Sequence, residues 1–111
     1  MKKICFVILL CLTLINLTFT APALAMDSAN GAQIFAQNCA ACHANGGNII
    51  RRGKNLKKRA LQRHQKDSIE AISLLVKEGK YAMPAYGDRL SEEEITEVAA
   101  YVLAKAENDW K

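Results

Sequence analysis

Cys39-Ala40-Ala41-Cys42-His43 sets two thiols three positions apart and an imidazole directly after the second. Few structures need those groups in that order. A c-type haem does: thiols at this spacing add to the two vinyl groups on one side of the porphyrin, and the next histidine is delivered to the iron. Three other uses compete. A zinc site needs a fourth ligand, which His64 could supply. A thioredoxin-like redox pair stands at a strand-to-helix junction. A structural disulfide across so short a loop would staple little.

The context of the motif favours haem. Residues 1–25 have the three-part form of a secretory leader: Lys2 and Lys3, an uncharged apolar stretch from Ile4 to Phe19, and the small-residue site Ala23-Leu24-Ala25. A transmembrane anchor would need an apolar run of ~20 residues, and this run is shorter. Cleavage after Ala25 removes Cys5 and Cys11 and leaves 26–111 as one domain. A domain this small has a marginal core of its own, and a large apolar cofactor would complete it. Export also fits, because thioether attachment takes place outside the cytosol.

The mature stretch reads as all-α, with about four helices and no strand. The first runs from about Ser28 to Cys42, with Gly31 permitting close approach of another backbone. A glycine-rich loop, 45–53, leads to a short basic helix from Lys54 to about His64, its apolar edge formed by Leu56, Ala60 and Leu61. Asp67 or Ser68 caps the third helix, whose stripe is Ile69, Ile72, Leu75 and Val76 and which ends at Gly79. The last opens on Ser91-Glu92-Glu93-Glu94, a capping box, and turns Ile95, Val98, Ala99, Val102 and Leu103 inward.

Met83 is the candidate sixth ligand to the iron. It sits in an irregular loop, 80–90, where Pro84 stiffens the backbone that presents the sulfur. Thioether ligation beside histidine raises the reduction potential and suits electron transfer. His64 is the rival ligand.

With these residues in view, the chain resembles cytochrome c6, the soluble carrier of oxygenic photosynthesis in cyanobacteria and algal plastids. The matching stretches are 38–44, 48–50, 54–58, 68–72, Gly79-Lys-Tyr-Ala-Met-Pro-Ala-Tyr-Gly87, 89–91 and Val98-Ala-Ala-Tyr-Val-Leu103; Trp110 is similar to algal members. The resemblance implies a class I cytochrome c fold around one covalently bound haem c on Cys39 and Cys42. His43 and Met83 would be the axial ligands, and Gly31 and Phe35 would cross Tyr101. It implies a carrier rather than an enzyme, taking single electrons from cytochrome f of the b6f complex to photosystem I in the thylakoid lumen. A terminal oxidase in a periplasm-like compartment is the alternative acceptor. The chain departs from the family at Leu75, where many members carry glutamine.

Removing Lys2 and Lys3 with the leader takes two charges from a formal +4. What remains is unevenly placed. Arg51, Arg52, Lys54, Lys57, Lys58, Arg59, Arg63 and Lys66 occur without an intervening acid, while Glu92, Glu93, Glu94 and Glu97 gather on the last helix. No aromatic residues interleave with the basic run, so nucleic acid is not the expected partner. A one-signed patch on a carrier steers encounter with an acidic partner surface. The protein is not expected to be membrane-embedded.

Overall fold

The capping box at Ser91 forms as its sequence dictates. Its hydroxyl accepts from the Glu94 N–H (3.1 Å), and its own N–H donates to Glu94 Oε2 (2.8 Å). In the computed structural model, which describes residues 1–16 and 28–111, six α-helices follow one another: α1 (Lys2–Asn16), α2 (Ser28–Asn38), α3 (Ala40–His43), α4 (Lys58–Arg63), α5 (Ile69–Glu78) and α6 (Glu92–Glu107). Short 3-10 turns occupy Ala44–Gly46 and Arg52–Lys54. Among the described residues the only β-type pairing is an isolated antiparallel bridge between Lys80 and Met83. No helix among them is long and apolar enough to cross a membrane. The cleavage site Ala23-Leu24-Ala25 lies outside the described residues.

The core is built where α6 crosses α2 and α5. From α6, Ile95, Val98, Ala99, Val102 and Ala106 are buried; from α2, Ile34 and Phe35; from α5, Ile72 and Val76. Gly31 sets the α2–α6 distance. A Cβ there would lie 2.5 Å from the Glu97 carbonyl oxygen and 3.0 Å from Tyr101 Cβ, so a side chain would push the two backbones apart. Phe35 meets Tyr101 at 5.4 Å between ring centroids and Trp110 at 5.2 Å. Both separations fall in the favourable range for tilted aromatic pairs. Trp110 also donates from Nε1 to the Leu56 carbonyl at 2.9 Å, fastening the C-terminal end to the segment before α4.

Three local expectations are corrected. The first helix does not run unbroken to Cys42: it stops at Asn38, and Cys39 precedes a separate single turn, α3. The Asn38 amide bonds back to the Ile34 carbonyl at 3.0 Å, and the Tyr86 hydroxyl takes the Asn38 carbonyl, so the helix end is satisfied from outside. The basic helix is shorter than 54–64, because Arg52–Lys54 forms a 3-10 turn and α4 begins only at Lys58. Glu97 is not part of an exposed acidic face. It is 7 % exposed, at the α2–α6 crossing, where its carboxylate accepts from the Asn30 amide.

Candidate functional site

Cys39, Cys42 and His43 come together because α3 is a single turn following α2. The His43 and Cys42 N–H groups both bond to the Cys39 carbonyl, at 2.9 and 3.2 Å. His43 Nδ1 lies 2.8 Å from the Gly47 carbonyl. A carbonyl only accepts, so Nδ1 carries the proton and donates. Nε2 is left with its lone pair free for a metal. The loop carrying Gly47 is itself held by hydrogen bonds from the Ile49 N–H to the Cys42 carbonyl (3.1 Å) and from the Leu56 N–H to the Gly46 carbonyl (2.8 Å).

Met83 is presented by a tight turn. Lys80 and Met83 exchange both backbone hydrogen bonds, at 3.1 and 3.0 Å, with Tyr81 between them at φ 52°. Gly79 makes this turn feasible. It ends α5 at φ 68°, ψ 175°, a region open essentially to glycine alone. The chain leaves α5 extended, without a left-handed helical cap, and folds straight back. A Cβ on Gly79 would sit 2.7 Å from the Met83 oxygen, 2.8 Å from the Pro84 carbonyl carbon and 2.7 Å from the Ala85 nitrogen. Beyond the turn, the Tyr86 and Gly87 N–H groups donate to the Val76 and Lys77 carbonyls at 2.9 and 3.1 Å. The buried Tyr86 hydroxyl donates to the Asn38 carbonyl at 3.0 Å. One tyrosine thereby pins the methionine loop to the residue that precedes Cys39.

Both segments line one cavity of about 360 Å³, within the size range of small-molecule and cofactor sites. Cys39, Cys42, His43 and Met83 all reach it, among apolar walls from Phe35, Leu61, Ile72, Val76, Val98 and Val102. Leu75 lines it too, half-buried. The donor set suits a haem. Two unpaired thiols stand beside an imidazole with a free nitrogen, and a thioether shares the cavity. The rival uses fit worse. Burial first, and then the neighbouring Cys42, push the Cys39 thiol up to about 11, whereas a redox-active thiol needs its pKa lowered. Among the described residues no group of three or more His, Cys, Asp and Glu could hold a metal ion. His64 does border the cavity, but its ring is exposed and Nε2 lies 3.3 Å from the Gly53 carbonyl.

Comparison with known proteins agrees with this geometry. Residues 27–102 match a family model described as cytochrome c oxidase, cbb3-type, subunit III. A cytochrome c6 from Nostoc sp. is 52% identical over 111 residues, covering 100% of both chains. The chain belongs to the cytochrome c6 family. Among solved structures, cytochrome c6 from the diatom Phaeodactylum tricornutum superposes with a TM-score of 0.73 at 52% identity, over 76% of this chain and 99% of that one. Cytochrome c6C from Synechococcus sp. PCC 7002 gives 0.71 at 59% identity, over 73% and 99%. The fold is the class I cytochrome c fold, the cofactor is haem c, and the chain is a monohaem electron carrier.

The mouth of the site holds what the sequence did not announce. Arg51 lies over the Tyr81 ring at 5.0 Å, joining the loop after His43 to the Met83 turn. Ile50 is 60% exposed and Tyr81 80% exposed, and both border the cavity with Arg51 and Lys54. Lys58 stands apart from the other cations, paired with Glu107 at 2.8 Å. Of the acids on α6, Glu92 pairs with Lys77, which raises the lysine pKa through that hydrogen bond and charge. These pairings and the buried Glu97 leave Glu93 and Glu94 as the remaining members of the anticipated acidic face.

Proposed function

We propose that Cys39 and Cys42 carry the thioether bonds to the haem and that His43 Nε2 and the Met83 sulfur are its axial ligands. The single observation that carries this is the shared cavity. Two separate segments, each held by its own backbone hydrogen bonds and tied together by Tyr86, deliver an imidazole nitrogen, two thiols and a thioether into one apolar space. When bound, haem c supplies a one-electron iron couple. The chain's own residues fix the histidine tautomer through Gly47, hold Met83 through the Lys80 turn, and exclude water with Ile72, Val76, Val98 and Val102. No side chain is assigned a catalytic role, and the chain works as a carrier rather than as an enzyme.

The route follows the family: electrons come from cytochrome f of the b6f complex and go to photosystem I, in the thylakoid lumen, after residues 1–25 direct export and are removed. Docking uses the cavity mouth, where Ile50 and Tyr81 give a small apolar contact and Arg51 and Lys54 a positive rim. Such an interface suits a partner that must bind fast and leave fast. A terminal oxidase is the second acceptor to consider, favoured by the match of residues 27–102 to an oxidase-subunit family model. Two measurements test the proposal. The haem should stay with the polypeptide through denaturing electrophoresis, and extraction of all haem by acid-acetone would overturn covalent attachment. Flash kinetics should show the reduced protein re-reducing photosystem I; donation only to an oxidase would overturn the assigned acceptor.

A further inference from the structure

The chain adopts a costly backbone after α6. The helix stops at Glu107, and Asp109 and Trp110 follow at φ 54° and 59°. Both lie in the left-handed region, which residues with a side chain avoid and seldom occupy twice in succession. The turn is closed by the Trp110 N–H donating to the Lys105 carbonyl at 2.7 Å and by the Lys105 ammonium donating to the main-chain oxygen of Lys111 at 2.6 Å. Its effect is to send the indole back over the loop that follows His43. Strain of this kind persists only where surrounding bonds hold it, and it clusters at positions that serve a site.

The indole meets that loop at Gly46, which is buried and at φ 75°. A Cβ there would stand 2.5 Å from Cδ1 and 2.6 Å from Cδ2 of the ring, so the ring lies directly on the glycine. Indole Nε1 donates to the Leu56 carbonyl at 2.9 Å, and the N–H of the same leucine donates to the Gly46 carbonyl at 2.8 Å. The residue after Gly46 is Gly47. Its N–H is fixed to the Ala44 carbonyl at 3.0 Å, and its carbonyl accepts from His43 Nδ1 at 2.8 Å. One line of contacts thus runs from Trp110 through Leu56, Gly46 and Gly47 to His43. Packing alone does not require this line. A ring without an N–H would fill the same space against Phe35, 5.2 Å away, and Tyr101, 6.3 Å away.

We propose that Trp110 is a positioning residue for His43: through Leu56 and Gly46, the turn after α6 holds the Gly47 carbonyl where it keeps the Nδ1 proton bonded. That bond governs how strongly the imidazole donates electrons through Nε2, and hence how well the oxidised iron is stabilised against the reduced. No bond in the line touches the Met83 turn, so the effect falls on the histidine side of the haem. The inference rests on His43 as an axial ligand.

The test uses the haem-loaded protein. Trp110→Phe removes the N–H and keeps a ring against Phe35. With the Leu56 carbonyl unpaired, the loop loosens, the bond to Nδ1 weakens and the reduced state gains. At the native midpoint potential, reduced and oxidised protein should shift from equal amounts to about 3:1 in a redox titration. Ile95→Val is the control: Ile95 is 1% exposed on α6 and does not line the cavity. It should lose stability yet leave the ratio within about 1.5-fold of equality. A second measurement needs no variant to fold. In the native protein, nuclear magnetic resonance should show Trp110 Nε1–H and His43 Nδ1–H opening together. Their protection from deuterium exchange, corrected for the intrinsic rate of each group, should agree within about 10-fold. A larger difference, or a ratio in Trp110→Phe no greater than that in Ile95→Val, overturns the positioning role and leaves Trp110 a packing residue. Absence of a low-spin haem spectrum from the native protein would instead overturn His43 ligation, and this inference with it; an intact spectrum with an unmoved potential overturns the positioning role alone.

Discussion

Changing Gly79 to alanine perturbs the methionine loop from a residue that does not itself line the cavity. The magnitude follows from two features. Gly79 holds φ 68°, ψ 175°, and a residue with a Cβ in that region costs about 1–3 kcal/mol. The new methyl also meets three backbone atoms of Met83, Pro84 and Ala85 at 2.7–2.8 Å. No rotamer change relieves backbone overlap, and overpacking of this kind costs about another 1–3 kcal/mol. Reduced freedom of the unfolded chain returns about 0.4–1 kcal/mol. The net destabilisation is about 2–5 kcal/mol, a large part of the ~5–15 kcal/mol that holds a small domain folded. Melting temperature falls about 4–8 °C per kcal/mol in a domain of this size, so a drop of about 8–40 °C is expected. Circular dichroism of the haem band against temperature reads it directly. Gly53→Ala is the internal control: it has open space around the added methyl, and surface changes of that kind stay within about 0.5 kcal/mol. If Gly79→Ala and Gly53→Ala melt together, the methionine turn does not depend on Gly79 and the reasoning fails.

Three further outcomes are expected. Tyr86→Phe removes the donor to the Asn38 carbonyl and should cost about 1–3 kcal/mol in chemical denaturation, through the unpaired acceptor it leaves; no loss would show that the tyrosine does not brace the two segments. Leu75→Gln places an amide in the cavity wall, where its donor end favours the reduced state; redox titration should show the potential rise by about 40 mV for a hydrogen bond worth about 1 kcal/mol, and an unchanged or lower potential would refute this. Stopped-flow electron transfer to an acidic partner should slow as salt screens the charges over ~10 Å, and Arg51→Gln with Lys54→Gln should flatten that dependence; rates that rise with salt would reduce the basic run to a solvated face.

Features set within one helical turn could be read directly from the sequence. The Ser91–Glu94 box, the Ser68 cap accepting from the Ala71 N–H, and the Ile72–Val76 stripe all depend on neighbours three or four residues away. The close approach at Gly31 was legible because a glycine inside a helical pattern permits another backbone to come near, and the family resemblance named Tyr101 as the residue it crosses. Features that depend on distant partners were not legible. The break at Cys39 is stabilised by a tyrosine forty-eight positions along the chain, Tyr86 donating to Asn38. Glu97 looked like its acidic neighbours in sequence, yet it lies one turn before Tyr101 on the row facing α2, where Asn30 meets it. That i, i+4 relation to Tyr101 was the available signal. For the ligand set, residue chemistry named the candidates, and the backbone hydrogen bonds around Gly47 and Lys80 explain how each could be aimed. The division of the loop's cations between two faces, Arg51 and Lys54 on one and Arg52 and Lys57 on the other, follows a 3-10 turn that composition does not reveal.

The central claim is that one cavity brings a histidine and a methionine to the same iron. The methionine-to-iron charge-transfer band of the oxidised holoprotein tests it most directly, recorded for the native chain, Met83→Ala and His64→Ala. The band should be present in the native protein and in His64→Ala and absent from Met83→Ala. A band that survives in Met83→Ala, or that is missing from the native protein, would contradict the account.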